Sequence, residues 1–290
     1  MGNSKAKGIL VPPFPKEILS IIATVDDLVL LSVNENIEFL NKLMGSIPQP
    51  YRWRFRTVDA FKAEATQLIE TGANPTEINK LYWEDTLNNC EAYSVMSICR
   101  LIELARSAVW AVARKDIVCA ALIARAALEN TVQYVDAART ITATIMKSIL
   151  DQSFIEDNAP NDELEDYLLK TVFASRLPDV EDYYKPTNIM TIIDRIAKSP
   201  GQSVVKDHYN FLCEIAHPNF VGRSVYILDT KIGSRAGDEI RTLGIGSGNN
   251  SVDILISTVW AVSWAVGTQC SATQLMQSSI GSVKSALEKF

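Results

Sequence analysis

Residues 117–150, IVCAALIARAALENTVQYVDAARTITATIMKSIL, decide the fold. No glycine or proline interrupts the run, and Asp116 stands ahead of it as a capping residue. A stretch this long, apolar and free of turn residues predicts one continuous core helix. Upstream, Asn74-Pro75 is a cap followed by proline in the first turn, and the helical pattern persists to about Arg114, with a break expected near Asn88-Asn89. A shorter helix is expected from Thr57 to Thr71, stopped by Gly72. Further back, Ile18, Ile21, Ile22, Val25, Leu28 and Val29 recur at spacings of three and four. They predict a single helix from Lys16 to Met44, ended by Gly45 and Pro48.

Downstream of the long run the character changes. Residues 151–184 hold ten acidic and two basic residues, about −8, so the rest of the chain sums to about +2 against a total of −6. Helices are expected over Thr187–Lys198 and Gln202–Ala216. Next come SVYILDTKI (224–232) and EIRTLGI (239–245), which flank a turn-rich six-residue connection and predict a β-hairpin. A final helix is expected from Val252, broken at Gly267 or Gly281. The expected class is all-α: a multi-helix bundle with one short hairpin, about 224–245, before the C-terminal helix. We divide it into an N-terminal helical region, 1–72, and a helical domain, 73–290.

Composition agrees with a packed interior. The chain has 290 residues, 47% hydrophobic and 21% charged, with 13 Gly and 11 Pro, which excludes disordered and collagen-like classes. A sequence pI near 5.1 argues against coating nucleic acid through bulk charge. Cys90, Cys99, Cys119, Cys213 and Cys270 are odd in number and form no C-x-x-C pair, so neither a disulfide framework nor a metal site is expected. No cofactor is implied. Met1–Leu10 has no apolar core of a secretory signal, and Ile254–Gly267 is shorter than a spanning helix needs, so a cytoplasmic protein without a membrane segment is expected.

Three segments carry candidate chemistry. Tyr51-Arg52-Trp53-Arg54-Phe55-Arg56 alternates rings and guanidiniums; extended, it puts Arg52, Arg54 and Arg56 on one face, either to grip RNA or as a connector with its rings packed inward. In the long helix Arg125 and Glu129 lie four apart on an apolar face, beside Asn130. They are read as a structural ion pair or as a pocket for an anion. In YNFLCEIAHPN (209–219), Tyr209, Cys213 and His217 share a helical face with Glu214 and Asn219 close by. Pro218 places His217 at the helix end, where the dipole favours its charged form. The other histidine, His208, is expected at the surface. No G-x-S-x-G, G-K-[ST] or H-E-x-x-H pattern occurs.

ARAALEN (124–130) together with YNFLCEIAHPN resembles a group of bacterial all-helical proteins in which an R-x-x-x-E helix and a Y-x-x-L-x-x-x-x-H-P segment recur. That group is distantly similar to HEPN domains, many of which are metal-independent ribonucleases of toxin and defence systems. The resemblance covers roughly residues 75–290. HEPN nucleases carry an Arg separated from the histidine by four to six intervening residues; here Asn210, Phe211 and Leu212 stand at those positions before His217. Two functions are therefore expected in competition. One is a binding or assembly module in which Arg125, Glu129 and His217 form a cluster for an anionic ligand. The other is an endoribonuclease with His217, Arg125 and Glu129 as catalytic groups. RNA, an anionic ligand, a protein partner or a second copy are the partners to test.

Overall fold

Asn74 and Glu77 close a reciprocal cap: the Glu77 amide donates to Asn74 Oδ1 (3.0 Å) and the Asn74 amide to Glu77 Oε2 (2.9 Å). With Pro75 in the first turn, this launches a helix of 39 residues, Pro75–Ala113. The computed structural model describes residues 11–150, 162–181, 184–235, 237–245 and 251–288. The expectations for Met1–Leu10 and for 151–161 and 182–183 of the acidic block lie outside the described residues.

Among the described residues there are eleven helices and one hairpin, a mainly all-α protein. They are α1 Lys16–Ile22, α2 Leu28–Leu31, α3 Val33–Ser46, α4 Val58–Glu70, α5 Pro75–Ala113, α6 Ile117–Leu150, α7 Asp162–Val172, α8 Ile189–Ala197, α9 Val204–Ala216, α10 Phe220–Ser224, β1 Ile227–Ile232, β2 Glu239–Leu243 and α11 Ser251–Leu287. The strands are antiparallel and pair Ile232 with Glu239, Lys231 with Ile240, Thr230 with Arg241 and Asp229 with Thr242; an irregularity then brings Ile227 opposite Leu243.

Three expectations about helix continuity are corrected. The single helix at 16–44 is three, because the Asp27 carboxylate accepts from the amides of Val29 (2.7 Å) and Leu30 (3.3 Å) and restarts the helix at Leu28. There is no break at Asn88-Asn89; both side chains bond to the 51–56 segment instead. The last helix runs unbroken through Gly267 and Gly281. At Gly267 the missing side chain is a packing device, since a Cβ there would lie 3.0 Å from the Asn36 side chain.

The α5–α6 junction turns on Lys115, at φ 63°. Around it Lys115 donates to the Val112 carbonyl (3.0 Å) and Asp116 to that of Ala111 (2.9 Å). This is the left-handed helix stop that glycine usually fills.

The chain forms two compact units, each assembled from three stretches. The first takes residues 1–46, 98–133 and 189–270. Its interior is paved by the small side chains Ala120, Ala121, Ala124 and Ala127 of α6, with Leu128, Ile193, Leu212, Val259 and Val262. The second takes 47–97, 134–188 and 271–290, around Trp83, Leu87, Tyr134, Ile141, Ile145, Leu164, Met276, Ile280 and Val283. The boundary expected near residue 72 falls inside this second unit. Helix α11 is long and apolar enough to cross a membrane by length and composition, and 67% of its most apolar window is buried inside the protein.

Candidate functional site

The first unit joins part of the expected cluster. Arg125 Nε bonds Glu129 Oε1 at 3.0 Å, one turn along α6, and the Tyr209 hydroxyl of α9 donates to the same oxygen at 3.0 Å. The guanidinium carbon lies 5.5 Å from the Tyr209 ring centre, a cation–π contact. Burial, then the Glu129 carboxylate, pushes the Tyr209 pKa upward. Burial also weighs against charge on Arg125, but Cys213, Glu129 and Tyr209 more than offset it, so its pKa lies above the usual value. Burial raises the Cys213 thiol as well. At neutral pH the phenol and thiol therefore keep their protons and the guanidinium its charge. One carboxylate oxygen serves both donors. This is a clasp between α6 and α9.

His217 lies eight residues beyond Tyr209, at the C-terminal cap of α9. It caps α9 in extended geometry (φ −82°, ψ 144°), as Pro218 requires, and its ring is exposed, with no hydrogen bond or ion pair to Arg125 or Glu129 among the described residues. Its neighbours build a corner. Asn219 Oδ1 accepts from the Gly222 amide (2.9 Å) and caps α10, while its amide group donates to Glu214. Arg223 Nε donates to the Pro218 carbonyl (3.0 Å). A Cβ on Gly222 would sit 2.5 Å from the His217 carbonyl and 2.8 Å from that of Ile215, so the corner is shaped by backbone contact. Asn130 donates to Gln269 Oε1 (3.0 Å), and so does Thr131 (3.0 Å), inside the core. His208 corrects its expected surface place. Its ring stacks on Trp260 at 4.0 Å, Nδ1 lies 3.1 Å from Ser257 Oγ, and burial lowers its pKa despite Asp27 and Asp207.

The second unit absorbs the alternating strip. Trp53 donates to Asn89 Oδ1 (3.0 Å), and its ring and that of Phe55 pack on Phe173 at 6.2 and 5.7 Å. Tyr51 reaches Glu91 at 3.5 Å. Arg56 is 7% exposed and bridges two carboxylates, Glu64 (2.9 Å) and Asp85 (3.1 Å); these offset the burial of its charge and raise its pKa. Arg52 and Arg54 face solvent, and the ion pair of Arg54, to Glu64, is long at 3.6 Å. A cleft of about 260 Å³ opens here, lined by Arg54, Arg56, Glu84, Asn88, Glu91 and Lys284 over Leu87 and Leu287. Lys284 reaches it from the end of α11 and pairs with Glu91.

Sequence reasoning missed Lys284, Asp85 and Asn88. The available signal was the i, i+3, i+4 spacing of Asp85, Asn88 and Asn89, one polar face in a helix otherwise rich in apolar residues. Among the described residues no three His, Cys, Asp or Glu side chains are grouped to hold a metal ion. The five cysteines are free thiols, and burial lifts Cys90 and Cys270 to about 12. No family model matches this chain, and no curated protein or solved structure matches it either.

Proposed function

We propose that this protein is a helical binding module that holds a small anionic ligand in the cleft of its second unit, gripped by Arg54 and Lys284. The cleft carries this reading, because it is a cavity where two cations from distant parts of the sequence meet. Arg54 is the natural first contact: its side chain is 69% exposed and its ion pair is long, so most of its donors face water. Lys284 is held in place by Glu91 and can turn one of its three donors toward a bound anion. Glu84 adds an acceptor, which favours a ligand bearing a hydroxyl or amino group beside its negative charge. Arg125, expected to hold the anion, already spends Nε and its face on Glu129 and Tyr209.

The test is thermal melting with inorganic phosphate, a nucleoside monophosphate and a short oligoribonucleotide. A ligand at a hundred times its Kd adds about 2.7 kcal/mol, a shift of several degrees. Arg54→Gln and Lys284→Gln should each abolish the shift. No shift with any probe, or one that both variants retain, overturns the reading.

A metal-independent, HEPN-like endoribonuclease is the second reading, and the exposed His217 ring is the observation that favours it. Total RNA incubated with the protein in EDTA should then be cut, and His217→Ala should stop the cutting.

A further inference from the structure

The hairpin lacks what a β-ribbon ordinarily needs. Two strands alone are marginal in water without a third strand or a helix against one face. All five residues of β2 are exposed, whereas the first half of β1 is half-buried. The apolar side chains Ile240 and Leu243 are 61% and 69% exposed on β2. We propose that β2 pairs edge to edge with β2 of a second copy of this chain, making a four-stranded antiparallel sheet about a two-fold axis through Ile240. This rests on observations separate from the cleft.

Hydrogen-bond parity puts the axis there. The Gly233 amide donates to the Asp238 carbonyl (2.8 Å), which makes that pair a bonded one. Alternation along the ladder then turns the backbone groups of Ile240 and Thr242 inward, toward Lys231 and Asp229. The N–H and C=O of Glu239 and Arg241 point outward along the free edge. An axis at Ile240 sets Glu239 opposite the partner's Arg241, and Arg241 opposite the partner's Glu239. Both are outward-facing residues, so the two pairs make four main-chain hydrogen bonds.

Side chains agree with the backbone. Glu239 and Arg241 already touch within one chain, Nη2 to Oε2 at 2.8 Å, so pairing builds a quartet of alternating charge. Arg241 is further held over the Phe220 ring, 5.8 Å from its centre. On the opposite face Ile240 meets its own copy as a non-bonded pair, with Cα atoms about 4.5 Å apart. The edge of β1 offers no such match. An axis at Lys231 brings two lysines together, and its outward residues, Thr230 and Ile232, carry no charge to pair.

Light scattering coupled to size exclusion, over a hundredfold range of concentration, reads the outcome on the full chain. The expected parent species is a dimer, twice the 32.1 kDa chain. Arg241→Glu sets like charges opposite each other and should weaken association roughly tenfold or more. Ile240→Lys should do the same from the other face. The double exchange Glu239→Arg with Arg241→Glu restores opposite charges and should recover most of the affinity. Circular dichroism confirms that each variant keeps its helices. A parent that stays monomeric throughout, or a dimer indifferent to both single variants, overturns the proposal. So does a double exchange no better than Arg241→Glu alone.

Discussion

Replacing Arg56 by Met isolates the most buried charge of the 51–56 segment. The guanidinium spans two carboxylates, with Nε on Glu64 at 2.9 Å and Nη1 on Asp85 at 3.1 Å. Methionine fills the stem but leaves Asp85 without its cation and Glu64 with only the long contact to Arg54 at 3.6 Å. Orphaning a fully buried ion pair costs about 3–5 kcal/mol. Here the figure is smaller. Glu64 is 39% exposed and can rehydrate, while Asp85, at 17%, keeps its bond from Asn89 Nδ2 at 3.2 Å. The expected loss is therefore about 2–3 kcal/mol, most of it at Asp85. Urea unfolding at neutral pH measures it. Adding Asp85→Asn should return part of the loss, a coupling that a double-mutant cycle separates from the lost packing. Lysine should not rescue, because a single ammonium cannot span two carboxylates as a guanidinium fork does. A loss below about 0.5 kcal/mol, or full rescue by lysine, would refute the claim that this bridge anchors the segment.

Three further outcomes follow from the geometry. Gly222→Ala drives a Cβ into the carbonyls of His217 and Ile215 and should cost about 1–3 kcal/mol in urea unfolding. Lys115→Gly relieves the left-handed conformation at φ 63° and should raise stability by about 0.5–1 kcal/mol. The folded state of His208 binds its proton more weakly than the unfolded chain does, because burial lowers its pKa below 6.5. Its contribution is thus complete above pH 6.5 and is lost as pH falls through the folded pKa. Melting temperature should drop between pH 7.5 and 5.5, and His208→Gln should flatten that slope.

Helix identity was largely legible because long runs without glycine or proline admit one reading; Asp116 to Leu150 is the clearest case. Helix continuity was less so. Asp27 is a cap in the structure, yet in sequence the pair Asp26-Asp27 sits inside an apolar repeat with no glycine or proline beside it. Gly267 reads as a breaker until Asn36 is seen against it. The candidate sites divide in the same way. Arg125 and Glu129 meet because the pairing is local, four residues along one helix. The Arg56–Asp85 bridge and the approach of Lys284 to Glu91 span 29 and 193 residues, and nothing in a single sequence marks such distances. His208 was misplaced for a related reason: its burial is set by Trp260, far along the chain.

Polar side chains inside this protein do most of their work on alignment. Helices of 39, 34 and 37 residues with small apolar faces can slide by a turn, about 5.4 Å, and still bury much the same surface. Directional bonds do not tolerate that slip. Asn130 and Thr131 on α6 both end on Gln269 of α11, and Asn36 of α3 reaches Ser263 Oγ at 3.1 Å. In the second unit Ser94 meets the Tyr134 hydroxyl at 2.8 Å, and Tyr167 donates to Asp136 at 3.2 Å. A one-turn shift would strand each of these groups in the core at about 1–3 kcal/mol apiece, which selects one register among several of similar apolar burial. The same logic sorts the charges by function. Arg125 and Arg56, fastened to carboxylates and largely withdrawn from water, position helices. Arg54 has, among the described residues, one long ion pair and an open cleft beside it, and the proposed anion site rests on that arrangement.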